Sequence, residues 1–165
     1  MPVVPLADLS SLDLSTPLVS KAGIYAQLKQ SGRFALLDGI LHIDLEDDLV
    51  VAYKDVRADE WWAEDHIPGS PIFPGALMIE AAAQACSFDF YQRKPEAREQ
   101  FCGFTGIENT RFRSSVLPPS RFVIAGRVRR VRRSLFHYDL QGFVDGNVVF
   151  EVGIKGMVIP LTTNA

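Results

Sequence analysis

The chain has 165 residues, 47% hydrophobic and 22% charged, the balance of one soluble domain with a sizeable core rather than a fibrous or disordered polymer. A formal net charge of -3 argues against general affinity for nucleic acid, and no run of about eighteen apolar residues offers a membrane-spanning helix. Cys86 and Cys102 come without a CxxC pair or a Cys/His spacing suited to zinc, so both read as free thiols in a reducing cytoplasm, and no metal site is expected.

Residues 1–17 mix Pro, Ser, Leu and Asp without sustained periodicity and lack the basic and apolar regions of a secretory leader; they read as an arm, lying on the domain or partly disordered. Leu18 to Gln30 places Leu18, Ala22, Tyr25 and Leu28 near one helical face, and Ser31-Gly32 ends it. Phe34 to Asp44 and Leu49 to Val56 form a strand pair around an acidic turn. From Trp61 to Pro74 the density of Pro68, Gly69, Pro71 and Pro74 predicts a stiff irregular loop rather than a helix. A helix begins at Gly75, and it has almost no polar face: Ala76, Leu77, Met78, Ile79, Ala81, Ala82, Ala83, Ala85, Cys86 and Phe88 require burial on nearly every side. Strands are expected at Phe101 to Arg113, Arg121 to Arg133, Ser134 to Val144 and Val148 to Val158, the last two joined at Asp145-Gly146, a strong hairpin signal. Two strands, one long apolar helix and about four more strands define an α+β arrangement, an antiparallel sheet packed on that helix.

Glu80 and Gln84 interrupt the apolar helix one turn apart and share a face. A buried carboxylate must be paired, protonated or turned toward a cavity, and burial raises its pKa, which suits a general acid. His66, presented by the stiff loop, has a side chain that can accept a proton as a general base. The prolines between them keep the two off one helical face, so the fold or a second subunit has to bring them together. Gly75 opens the helix where backbone N–H groups can stabilise an oxyanion and a missing Cβ permits close approach. Gln84 either holds the Glu80 carboxyl or touches substrate. Phe73, Met78 and Ile79 can line an apolar cavity or serve as plain core. His42 and His137 read as structural. Arg111, Arg113, Arg121, Arg127, Arg129, Arg130, Arg132 and Arg133 concentrate positive charge, either a solvated strand face or a docking patch for an acidic partner; simple alternation sends Arg127, Arg129 and Arg133 to one face and Arg130 and Arg132 to the other.

The stretch DHIPGSPIFPGALMIEAAAQA resembles the core motif of the β-hydroxyacyl-(acyl carrier protein) dehydratases, with the His66-to-Glu80 interval, Pro74-Gly75 and Ala83-Gln84 matching. GRFALLDGI, KDVRADEWW, GIENTRFRSSVLPPSRFVIAG and VDGNVVFEVGIKGMVI are similar to the family's flanking segments, so the resemblance runs from about Gly32 to Ile159. Asp65 and Ile67 stand where the family usually has Gly and Phe. The resemblance implies a hotdog fold, an antiparallel sheet wrapped around one long central helix, at residues 32–160, preceded by an arm and short helix at 1–31 and followed by a tail at 161–165. It implies dehydration of 3-hydroxyacyl thioesters to trans-2-enoyl thioesters in fatty-acid biosynthesis, with His66 as base, Glu80 as acid and Gly75, Gln84, Ile67, Phe73 and Met78 around the substrate. The sister branch that isomerises carries Asp at the Glu80 position. No cofactor is implied. The expected partners are an acyl carrier protein and a second copy of the chain, as a homodimer or trimer of dimers, in the cytoplasm and without nucleic acid or membrane. A specialised dehydratase of a polyketide or polyene pathway, an acyl-thioester hydrolase and a non-catalytic acyl-binding protein are the alternatives.

Overall fold

The computed structural model describes residues 3–161. Seven strands form one antiparallel sheet: β1 (Val19–Ser20), β2 (Gly39–Asp44), β3 (Leu49–Val56), β4 (Phe101–Phe112), β5 (Ser120–Arg132), β6 (Leu135–Val144) and β7 (Asn147–Ile159), in the order β1-β2-β3-β5-β6-β7-β4. Three helices accompany it, α1 (Lys21–Tyr25), α2 (Trp61–Asp65) and α3 (Gly75–Arg93).

The α3 helix follows Pro74, which fixes φ ahead of the first turn, and it buries every residue from Ala81 to Tyr91. Its sides meet the inner face of the sheet, where Val50, Ala52, Val56, Phe122, Ile124, Phe136, Tyr138, Leu140, Phe150, Val152 and Ile154 complete one continuous core. Such a helix cannot sit at a surface, so the sheet has to curl around it. Asp145 and Gly146 adopt positive φ of 49° and 77°, the pairing a two-residue hairpin turn requires.

Local structure departs from the sequence reading at several places. The helix expected over Leu18–Gln30 is only the five residues of α1, because Val19–Ser20 pairs with β2 and the Ser20 hydroxyl caps the helix. The first long strand begins at Gly39 rather than Phe34; Gly32–Phe34 is a single 3-10 turn. Trp61–Asp65, expected as irregular, forms the short helix α2, since the prolines begin only after it. The arm is ordered over its described residues: Ala7, Leu9, Leu12 and Leu14 cover Leu41, Val51, Tyr53, Val123 and Phe143 on the outer sheet face.

A bulge corrects the arginine pattern. Val128 pairs with Tyr138 but Arg130 pairs with His137, so Arg129 is the extra residue and the alternation shifts by one. Arg127, Arg130 and Arg132 therefore share the outer face with Asp139, His137 and Leu135 opposite, while Val128 and Val131 pack inward.

Candidate active site

Glu80 lies on the α3 face that also carries Ala83 and Ser87, and that face borders a groove of about 380 Å³. Phe34, Phe101, Cys102, Gly103, Phe104 and Phe136 supply the other walls, with Lys29 and Gln30 at the rim. The groove is mostly apolar with one acid in it. Burial accordingly pushes the Glu80 carboxyl above its ordinary value of 4.5, and hydrogen bonds from Gln84 and Gln30 oppose that rise only in part.

Gln84 is fully buried, and its amide is saturated by the protein. Nε2 donates to Glu80 Oε1 at 2.7 Å and to the Phe34 carbonyl at 2.8 Å, while Oε1 accepts from the Tyr25 hydroxyl at 2.5 Å and from Leu36 N–H at 3.3 Å. Tyr25 in turn accepts from Leu37 N–H at 2.8 Å. With two donors and two acceptor positions in use, Gln84 has none left for substrate and serves to hold the carboxyl. Its central position in this network also ties the segment Phe34–Leu37 to the helix.

His66 caps the C-terminal end of α2, its N–H donating to Trp62 O at 2.9 Å. The ring Nδ1 lies 2.9 Å from the Ile72 carbonyl oxygen. A carbonyl only accepts, so Nδ1 carries a proton, and in the neutral form of the ring Nε2 is the free base. His66 and its neighbour Ile67 are exposed. Gly75 starts α3, whose first internal bonds run from Leu77 and Met78 N–H to Pro74 O, leaving the Gly75 and Ala76 N–H groups ahead of the ladder. Close approach is real at this glycine: a Cβ there would stand 2.7 Å from the Phe112 ring.

Within one chain His66 does not border the groove that holds Glu80. Phe73 and Met78, offered as cavity lining, are 1% and 3% exposed and belong to the core of the single chain; Ile79 packs against that core. The walls that sequence reasoning missed come from the segment after α1 and from β4 and β6. Only Phe104 carried a signal, an inward-phased aromatic on β4, opposite Gly156, that nonetheless stays 46% exposed. His137 Nε2 lies 3.0 Å from Glu108 Oε1 on the outer sheet face, and the residue does not border the groove. Among the described residues no cluster of His, Cys, Asp and Glu could hold a metal ion.

An antiparallel sheet curled around one buried helix, with an acid on that helix facing an apolar groove, defines a hotdog-fold protein. Structural neighbours share that fold: the dehydratase heterocomplex ApeI:P from Xenorhabdus doucetiae superimposes with a TM-score of 0.72 at 16% identity, covering 84% of this chain and 92% of that one, and a mutant thioesterase from Pseudomonas aeruginosa does so at 0.60 and 18%, covering 95% and 97%. The chain belongs to the FabA-like domain family, whose model matches residues 28–153. It is 32% identical over 129 residues to a 3-hydroxyacyl-[acyl-carrier-protein] dehydratase FabZ of Campylobacter jejuni, covering 76% of this chain and 88% of that protein. To the FabZ of Desulfotalea psychrophila it is 31% identical over 141 residues, covering 84% and 93%. A bifunctional LpxC/FabZ enzyme of Chlorobaculum tepidum is 35% identical over 126 residues; the match takes in 76% of this chain but 27% of that longer protein.

Proposed function

We propose that the chain is a hydro-lyase of fatty-acid biosynthesis that converts 3-hydroxyacyl-(acyl carrier protein) thioesters to trans-2-enoyl thioesters. The observation that carries this reading is Glu80, an acid with raised pKa held by a saturated amide in an apolar groove, combined with a histidine whose free nitrogen is set by a carbonyl. His66 Nε2 takes the proton from C2 while the N–H of Gly75 stabilises charge on the thioester oxygen. The C2 electron pair forms the C2=C3 bond, the C3–O bond breaks, and Glu80 gives its proton to the departing hydroxyl, so that water leaves. Return of the His66 proton to Glu80 through solvent resets the site.

The site is completed by a second copy of the chain. Support comes from two features: His66 and Glu80 do not border one groove in a single chain, and the long edge strand β4 leaves Phe104 and Ile107 46% and Phe112 54% exposed. A homodimer that pairs this edge covers those side chains and brings the partner's loop to each groove. The acyl carrier protein docks on the outer arginines. Arg130, Arg132 and Arg133 are exposed and enter no ion pair among the described residues, and the row Arg132, Leu135, Met157, Gly103 crosses the sheet to the groove. Arg113, Arg121, Arg127 and Arg129 are already engaged with Glu151, Asp55, Asp47 and Asp139. Among the described residues no helix is long and apolar enough to cross a membrane, and Cys86 and Cys102 are buried free thiols, in keeping with a cytoplasmic site of action.

The test combines two inactive variants. His66→Ala and Glu80→Gln each lower turnover of a 3-hydroxyacyl thioester, followed by enoyl absorbance, by a factor of about 10²–10⁴. Mixing the two after subunit exchange restores activity toward about one quarter of the wild-type sites, the random-mixing expectation for a symmetric dimer. Near-normal turnover by either single variant overturns the catalytic assignment, and exchange without recovery overturns the shared site.

A further inference from the structure

We propose that Lys54 is the positioning residue that aims His66, by clamping both ends of the loop on which His66 sits; the proposal rests on the catalytic reading of His66 given above. The starting observation is a break in alternation. On β3, Val50, Ala52 and Val56 face the core, and Lys54 shares their phase, opposite inward-facing Phe122 on β5. Its side chain is 3% exposed, among the few buried charges of the described residues. A lysine is held there only if its charge is answered.

Two groups answer it, and they flank the loop. Lys54 Nζ donates to Glu60 Oε2 at 2.7 Å, and the Glu60 carboxyl is itself only 9% exposed. Glu60 is the N-cap residue of α2, its other oxygen accepting from Arg57 N–H at 3.0 Å, and α2 runs straight to His66 as its C-cap. On the far side, Nζ lies 5.8 Å from the centre of the Phe73 ring, within cation–π range. Phe73 directly follows Ile72, whose carbonyl fixes the His66 tautomer, and its own N–H donates to Val116 O at 2.8 Å. Trp62 of α2 and Phe73 pack ring to ring at 5.3 Å. One ammonium thus holds the segment that delivers the His66 backbone and the segment that delivers the acceptor for its ring. Letting either slip would turn Nε2 away or free Nδ1 from its carbonyl. Lys54 touches neither His66 nor substrate; it acts through the loop.

The experiment reads the imidazole itself. Lys54→Met alone leaves the buried Glu60 carboxylate without its counter-ion, so the informative protein is the double variant Lys54→Met/Glu60→Met, in which both charges are exchanged for apolar groups of similar length. Full-length protein labelled with ¹⁵N at histidine is examined at a pH of about 8.5, well above the ordinary imidazole range. The His66 signal is assigned by its loss in His66→Ala. In the wild type the ring nitrogens show one tautomer, protonated at Nδ1. The expected result is a folded double variant with native circular dichroism, a mixture of both tautomers at His66, kcat for a short 3-hydroxyacyl thioester reduced about 10–100-fold, and KM within about twofold of wild type. A folded double variant that keeps the single Nδ1–H tautomer overturns the proposal, as does a tautomer mixture with unchanged kcat. Failure of the double variant to fold also overturns it, because the pair would then be core architecture rather than an aiming device. The tautomer readout needs no turnover, so it judges the clamp even if His66→Ala shows the catalytic reading to be wrong.

Discussion

Gln84→Leu separates support of the active-site acid from participation in chemistry. The leucine fills the space of the amide without its two donors and its acceptor oxygen. Of the four partners lost, the Phe34 carbonyl belongs to a half-exposed residue and can turn to water, whereas Leu36 is 2% exposed and its buried N–H loses the amide acceptor. The Tyr25 hydroxyl keeps the bond it accepts from Leu37 but loses the acceptor for its own proton, inside a mostly buried environment. Two stranded polar groups at roughly 1–3 kcal/mol each amount to about 2–6 kcal/mol, and a gain of about 1 kcal/mol from burying an apolar side chain in place of an amide leaves a net cost of about 1–5 kcal/mol. Urea melts should show this as a lower midpoint at unchanged slope. The second consequence concerns protons. The Gln84 bond lowers the Glu80 pKa, so its loss raises that pKa further, and the alkaline limb of the kcat/KM profile, where the acid loses its proton, moves to higher pH. A cost below about 1 kcal/mol would refute the saturated-amide argument, and an alkaline limb that stays in place would refute the idea that Glu80 is the acid whose ionisation that limb reports.

Glu80→Gln should stabilise the protein at neutral pH while removing activity. A raised native pKa means that the folded state binds the proton more tightly than the unfolded chain, so wild-type stability falls as pH climbs from the ordinary value of 4.5 through the raised one. The glutamine still accepts from Gln84 and has no such slope, so denaturation midpoints of the two proteins should coincide below pH about 4 and diverge in favour of the variant near pH 7; equal slopes would count against the raised pKa. Arg130→Glu/Arg132→Glu should raise KM for a carrier-bound substrate several-fold, with a steep salt dependence, and leave a short carrier-free thioester nearly unchanged, whereas equal losses on both would mean damage to the sheet.

The architecture was readable because its strongest signals are physical necessities. Eight of the eleven consecutive buried positions of α3 are apolar, with only Gln84, Ser87 and Asp89 as exceptions, and the Asp145-Gly146 turn is one of few pairs that tolerate two positive φ angles. What escaped the sequence depends on register or on contacts between distant segments. The Arg129 bulge leaves no mark in the composition of β5, yet it moves Arg130 and Arg132 to the opposite face from the one alternation assigns. Tyr25 and Gln84 are 59 positions apart, and nothing local in either predicts their bond. The apolar residues of the arm, Leu9, Leu12 and Leu14, lack a regular period because they fit an irregular path across the outer sheet, tied by Arg121 to Leu14 O and by Arg127 to Leu6 O. Lys54 was readable in principle: a lysine in phase with Val50, Ala52 and Val56 is a local contradiction of the kind that marks a positioned charge.

The two ends of the sheet are unlike, and that difference limits how copies of the chain can combine. At one end β1 is two residues long, pairs only Gly39 and Ile40 of β2 and passes at once into α1, so the free edge there is confined to the short run from Leu41 to Asp44. At the other, β4 presents twelve residues with one side unpaired. Strand addition can therefore happen at a single boundary. Once two copies have joined there, each has spent its one usable edge and the combined sheet ends in a stub at both extremities, which blocks the open-ended stacking that a sheet with two long edges invites. Any higher assembly has to be built from side-chain faces, and the geometry of the fold itself guards the chain against fibre formation.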